Sequence, residues 1–345
     1  MTAQLLAVML CSLAVSWAVT RSSIPFLRRR GLVDEPNNRS SHAVPTPRGG
    51  GVGLLAGVAV ALVVGAAIDL PQLRWEVLVG CGLIAGYGLI DDFRGGLSVG
   101  TRLLTQCIAS ALVIYPAGGL PYLPLPPPLQ AETGILAMPL GMLWLVAVCN
   151  IYNFLDGIDG LAGLQGAIAG LSLAFLAPGD SLSVAGVGIA GGCVGFIAHN
   201  WHPARVFMGD IGSATLGFLL AALPLQLEKG LRGDAVFFTI LCLWFFLSDG
   251  VFTILRRLLR GETIWHPHRS HLYQRLVKAG LRHDQVSLRV GIAAGALAIM
   301  ALASVKFGSP VSLWRVQAAA LIAFATYWHC TVSIERSTRP YTMAK

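Results

Sequence analysis

Charge is what this sequence has least of. Only 12% of its 345 residues are Asp, Glu, Lys or Arg, against about 25% in a soluble domain. That scarcity, a mean hydropathy of +0.68 and several runs longer than the roughly 18 apolar residues of a membrane span exclude an ordinary soluble fold. Also missing is any C-x-x-C pair among Cys11, Cys81, Cys107, Cys149, Cys193, Cys242 and Cys330. Each falls in or beside an apolar run, so the seven read as small hydrophobes, with no disulfide framework and no cysteine zinc site. No repeat, low-complexity segment or soluble domain interrupts the chain. No Lys or Arg precedes the first apolar run, whereas Arg21, Arg28, Arg29 and Arg30 follow it. That reverses the charge order of a signal peptide and suits a first span with its N-terminus outside.

What is there reads as one integral membrane domain over 1–345, all-α and polytopic, with about 10–11 transmembrane helices. Eleven candidate helices lie at 2–20, 51–70, 76–92, 102–119, 135–152, 160–177, 182–199, 210–227, 235–256, 287–305 and 313–333. The proline-rich 119–134 loop reads as a semi-rigid connector. After the odd-numbered helices, with the C-terminal tail, stand 20 Lys and Arg residues; the other loops hold 5. By the positive-inside rule the first set faces the cytoplasm. The net charge of +8 is thereby assigned to membrane orientation, and no nucleic-acid partner is expected. The cytoplasmic loops fall at about 21–50, 93–101, 153–159, 200–209 and 257–286.

The dense polar motifs share that side: SSHAVPTPRGGG (40–51), LIDDFRGGLS (89–98), NIYNFLDGIDG (150–160), HNWHPARVFMGDIGS (199–213) and WHPHRSHLYQRL (265–276). Scattered structural polar residues would fall on both sides, so this points to an active site built from cytoplasmic loops and helix ends, open to a water-soluble substrate. Asp91 and Asp92 are adjacent anions at a helix C-terminus, where the helix dipole disfavours them. Asp159 can N-cap the helix starting near Leu161, and Asp210 can cap the eighth span; both roles are compatible with function. In a regular helix the threefold spacing Asn150, Asn153, Asp156, Asp159 spreads over about 180°. The helix is therefore expected to end near 153–156, with Gly157 and Gly160 turning Asp156 and Asp159 toward one pocket. Asp249, within the ninth span, reads either as functional or as half of a buried pair with Arg256.

So many carboxylates beside basic residues point to magnesium, which takes one or two carboxylates plus substrate phosphates; manganese is the alternative ion. Phosphoryl transfer adds cationic groups around the phosphates. Arg94, Arg102, Arg205 and the His266/His268/Arg269/His271 cluster supply them. The His-x-His-x-x-His spacing also admits a transition metal, a reading weakened by the lack of a cysteine and by Arg269 in its midst.

With LIDDFRGGLS, NIYNFLDGIDGLAG, VFMGDIGSATLG and HRSHLYQRL in this order, the chain resembles the polyprenyl-phosphate N-acetylhexosamine-1-phosphate transferases over nearly its whole length, from DEPNNRSSHAVPTPRGGG at 34 to HRSHLYQRL at 268. The resemblance implies transfer of a sugar 1-phosphate from a UDP-activated N-acetyl amino sugar to undecaprenyl phosphate in the bacterial inner membrane, with release of UMP. It matches Asp91 and Asp92 to the paired aspartates, the first a proposed base, and Asp210 to a magnesium ligand. Asn153, Asp156 and Asp159 match the nucleotide-sugar site, Phe207 an aromatic stacked on uracil, and His268 and His271 the loop near the diphosphate.

The expected catalytic set is therefore Asp91, Asp92, Asp156, Asp159, His268 and His271. Substrate binding is expected from Asn153, Phe207, Arg94, Arg102, Arg269 and His42, and metal binding from Asp210, Asn150 and Asp92. A homodimer is left open. HPHRSH replaces the consecutive histidines of the peptidoglycan branch, His42 stands nearest its first-loop lysine, and Arg94 does not align with its second. These departures favour the branch that initiates O-antigen and related surface glycans over a muramoyl-pentapeptide donor. The D-G-x-x-A-R pattern of CDP-alcohol phosphotransferases fails at Gly160-Leu161, which stand where Ala-Arg is required, and the spacing does not fit UbiA-type prenyltransferases. A lipid-linked-sugar flippase would place its polar groups at the bilayer midplane rather than at one interface.

Overall fold

The computed structural model describes residues 2–36, 41, 44–122, 131–263, 269–307 and 311–342. Every one of the eleven expected segments is helical. The helices are α1 (Ala3–Arg29), α2 (Gly51–Ala67), α3 (Trp75–Arg94), α4 (Val99–Ala117), α5 (Ala137–Leu155), α6 (Leu161–Leu176), α7 (Ser181–Asn200) and α8 (Gly209–Ala222). They continue with α9 (Lys229–Cys242), α10 (Trp244–Leu259), α11 (Leu272–Lys278), α12 (His283–Phe307) and α13 (Val311–Thr342). A two-residue antiparallel pair, β1 (Val33–Asp34) on β2 (Thr46–Pro47), lies between α1 and α2.

Several boundaries differ from the expectation: α8 stops at Ala222, α9 begins at Lys229 and α13 runs on to Thr342, and two further differences bear on the fold. α1 runs on to Arg29, so residues 21–29 are helix rather than loop. The segment 235–256 is two helices, α9 and α10, bent by 79°. The bend frees the Cys242 carbonyl, and the Gln165 side chain donates to it at 2.8 Å. In an apolar setting a broken helix survives only when its freed groups find such partners.

α7 and α8 form the centre. All fourteen residues of α8 are buried, and α7 packs against α1, α2 and α6. Its sequence explains the closeness: a Cβ on Gly191 or Gly195 would run into the α1 backbone at Met9 or Leu13. Small residues let membrane helices approach, and polar side chains join them. Ser12 and Ser16 of α1 donate to the carbonyls of Gly188 and Gly192 at 2.7 and 2.6 Å. The outward faces of α3, α4 and α12 stay apolar, with Leu83, Ile108 and Ile299 exposed. Among the described residues, four helical stretches are each long and apolar enough to cross a membrane: α1, Gly134–Leu155, α7 and α12. The bent pair α9–α10, taken as one span, makes a fifth. The protein is a multi-pass α-helical membrane protein.

Candidate active site

The C-termini of α3, α5 and α7 and the N-termini of α4, α8 and α12 lie around one end of the bundle, held there by direct contacts. Backbone pairing brings in the segment before α2: the Phe207 N–H donates to the Pro47 carbonyl at 2.8 Å, and the Gly50 N–H to the Phe207 carbonyl at 2.9 Å. Arg48 is thereby delivered to the start of α8. A cavity of about 310 Å³ opens at this end. The segment before α2 lines it with Asp34, Ser41 and Arg48, and the end of α5 and its loop with Asn153, Asp156 and Asp159. Asn200, Phe207, Asp210 and Ser213 come from α7, its loop and α8; Gln274 and His283 come from α11 and α12.

α5 ends at Leu155 with Asp156 as its C-cap, and Gly160 adopts the left-handed conformation (φ 76°) before α6. This break brings Asp156 and Asp159 to one cavity, as the spacing predicts. Burial and then repulsion from Asp210 push Asp156 up to about 7, with the Arg48 guanidinium opposing both. Asp159 does not cap α6. Its carboxylate instead meets His202 Nδ1 at 2.7 Å and His283 Nδ1 at 3.1 Å and accepts the Ala204 N–H at 3.2 Å. Burial works against its ionisation, but these contacts outweigh it and hold its pKa below the usual carboxylate value.

Asp91 and Asp92 stand behind the cavity wall. Asp91 is 1% exposed; it accepts from Arg102 Nε at 3.1 Å and Nη2 at 2.7 Å and from the Leu97 N–H at 2.5 Å. Asp92 caps α8, accepting the N–H groups of Asp210 and Ile211 at 3.0 and 3.1 Å. The cap belongs to a residue 118 positions away, which leaves the Asp210 carboxylate for other work. It also explains Gly209: its φ is 75°, and a Cβ there would strike the Asp92 carboxylate. Arg48 Nε lies 2.7 Å from Asp92, and its Nη2 donates to Asp210 Oδ1 at 2.8 Å. Burial lowers the Arg48 pKa, yet Asp210, Asp92, Asp91 and Asp34 reverse this and leave it raised.

The donor set suits a hard divalent ion. Among the described residues, Asp210 Oδ2 is buried without a hydrogen-bond partner, with Arg102 Nη1 at 3.5 Å. An orphaned carboxylate oxygen at a cavity rich in carboxylates is what magnesium requires. Asn150, expected with the metal, is turned away: its amide pairs reciprocally with that of Gln106 at 2.7 and 3.2 Å. Arg94 is exposed and does not line the cavity. Arg205 bonds His199 Nδ1 and the Ala198 carbonyl. His271 is buried against Asp249 at 3.2 Å, and Asp249 also accepts the Leu272 N–H. Asp249 thus pairs with His271 rather than Arg256. Arg269 precedes α11, and its carbonyl accepts from Lys278. His42, His266 and His268 lie outside the described residues.

Arg48, Asn200, His202, Gln274 and His283 join the site beyond the residues expected from the sequence. Arg48 stands in VPTPRGGG, where its charge reads only as orienting. His283 belongs to no motif singled out above.

The glycosyl transferase family 4 model matches residues 74–228. The chain is 30% identical to the decaprenyl-phosphate N-acetylglucosaminephosphotransferase of Mycobacterium tuberculosis, over 81% of this chain and 77% of that one. It is 32% identical to a probable undecaprenyl-phosphate N-acetylglucosaminyl 1-phosphate transferase of Bacillus subtilis, over 73% and 72% of the two chains. A phospho-N-acetylmuramoyl-pentapeptide-transferase of a Synechococcus strain is 35% identical over 73% of this chain and 78% of its own. The chain belongs to glycosyl transferase family 4, among the polyprenyl-phosphate N-acetylhexosamine-1-phosphate transferases.

Proposed function

We propose that this enzyme moves an N-acetylhexosamine 1-phosphate from its UDP derivative to a polyprenyl phosphate, with undecaprenyl phosphate the expected acceptor. The reading rests most on one observation: Asp156, Asp159, Asp210 and Arg48 share one cavity at one end of an apolar bundle. A lipid phosphate held at the bilayer surface can meet a water-soluble nucleotide sugar there. The excess of 20 Lys and Arg over 5 supports a cytoplasmic face for that end, in the inner membrane.

A phosphate monoester is largely ionised at neutral pH, its second pKa being about 6. Its oxygen attacks the β-phosphorus directly, the bond from that phosphorus to the bridging oxygen breaks, and UMP departs. No strong base is required, and Asp91 positions Arg102. Asp210 with Asp156 would hold magnesium, which when bound would supply positive charge to the diphosphate. Arg48 adds a fixed cation beside it, while Asn153 and Phe207 hold the nucleotide. The departures from the peptidoglycan pattern support an O-antigen-type pathway, whereas the pentapeptide-transferase relative keeps that donor as the second reading.

Purified protein given undecaprenyl phosphate, Mg²⁺ and a panel of UDP-amino sugars, UDP-N-acetylmuramoyl-pentapeptide included, should release UMP only when lipid, donor and metal are all present. Absence of UMP with every donor would overturn the reading. Asp210→Asn should lose at least about 100-fold in kcat, the scale of one electrostatic contact, while inserting and folding. Near-full activity at low Mg²⁺ would remove Asp210 from the metal position. Trapping a labelled phospho-enzyme from UDP-sugar alone would replace direct transfer with a two-step route.

A further inference from the structure

The flank of the cavity formed by Asp159 carries a second kind of donor set. Nδ1 of His202, Nδ1 of His283 and a carboxylate oxygen of Asp159 all lie within 4.8 Å of one another. These residues come from three segments: the α5–α6 loop, the α7–α8 loop and the first turn of α12.

The ring of His283 is oriented from behind. Its Nε2 lies 2.9 Å from the Ser41 carbonyl, which can only accept, so Nε2 carries the proton. Nδ1 accepts the Asp159 N–H at 3.3 Å and faces Asp159 Oδ1 at 3.1 Å. A cation between Nδ1 and Oδ1, a proton or a metal ion, makes this close approach favourable. A histidine whose far nitrogen donates to a backbone carbonyl is the usual arrangement behind a metal-ligating imidazole. Asp159 is braced likewise: Ala204 N–H donates to its carboxylate Oδ2, and Ser287 Oγ donates to its backbone carbonyl at 2.8 Å.

We propose that Asp159, His202 and His283 bind one zinc-type divalent cation, at a position chemically distinct from the all-oxygen set around Asp210. Two imidazoles and one carboxylate select borderline-soft first-row ions over magnesium, and three protein ligands with an open fourth position are the pattern of a reactive zinc centre. A cation about 2.1 Å from each donor places the donors about 3.4 Å apart. The Asp159–histidine separations of 2.7 and 3.1 Å open to that value with side-chain movements under about 1 Å. Asp159 and His283 both line the cavity, so the open position faces it and takes a water or a substrate oxygen.

The test uses untagged full-length protein in detergent, stripped of metal and titrated with Co²⁺, then Zn²⁺. About one equivalent of Co²⁺ should bind with the visible bands of a four- or five-coordinate ion, and Zn²⁺ should displace it. His202→Gln and His283→Gln should each weaken binding at least about tenfold, the lower end of what even supporting residues of a metal site are worth. Asp210→Asn should leave the Co²⁺ spectrum unchanged. X-ray absorption of the zinc-loaded wild type should show imidazole scattering, which decides the matter even if the histidine variants misfold. Failure of the wild type to bind Co²⁺ or Zn²⁺, with a proton filling the gap instead, would overturn the proposal. So would a zinc shell of oxygens alone, or binding abolished by Asp210→Asn.

Discussion

Replacing Arg48 with Met removes the cation that joins Asp92 to Asp210 while keeping most of the side chain's apolar bulk. Breaking a buried ion pair on one side costs about 3–5 kcal/mol. The Arg48 side chain is 34% exposed, and solvent there screens the charges, so about 2 kcal/mol is the expected loss. For a chain of this size that is about 4 °C in Tm. The loss should depend on pH in a definite direction. Asp156 is raised to about 7 by burial and by Asp210, and Arg48 holds it down; without Arg48 it rises further. A carboxyl raised in the folded state supports folding below its unfolded value, about 4, and that support is lost as pH rises through the folded value. The deficit of Arg48→Met should therefore widen between pH 6 and pH 8.5. Mg²⁺ should recover at least half of the deficit, since a divalent ion can replace the missing charge. Thermal unfolding in detergent, followed by tryptophan fluorescence with and without Mg²⁺, measures all three effects. A Tm within about 1 °C of wild type at pH 8, or a Mg²⁺ shift no larger than the wild type's, would refute the reasoning.

Asp156→Asn removes a carboxyl whose ionisation is costly in the folded protein. Its shift from 3.8 to about 7 corresponds to at most about 4 kcal/mol. The variant should outlast wild type at pH 8, lose that advantage as pH falls toward 4, and lose transferase activity throughout; lower stability than wild type at pH 8 would contradict this. His271→Ala leaves Asp249, 1% exposed, without its imidazole partner but still bonded to Thr253 and the Leu272 N–H. A loss of about 3 kcal/mol is expected, read as a Tm drop of about 6 °C; a drop under about 2 °C would show that Asp249 is held well enough by the remaining groups.

The sequence by itself determined the class, the positions of the helices and the gathering of motifs at one end. Apolar runs of this length must satisfy their backbone polar groups internally, which leaves helices as the available form. The threefold spacing of Asn150, Asn153, Asp156 and Asp159 cannot share one helical face, so the break after Leu155 was legible as well. Tertiary structure alone decided how those polar residues are used. Arg48 meets Asp210 across 162 positions, Asp92 caps a helix 118 positions away, and Asp159 turns from a cap to two histidines 43 and 124 positions distant. Asn150 follows the same spacing yet faces Gln106, and the apolar run 235–256 breaks where Gln165 can donate to the freed carbonyl. Helix formation follows local periodicity, which any short window carries. Which carboxylate meets which cation depends on the packing of segments far apart in the chain, and no local pattern encodes that.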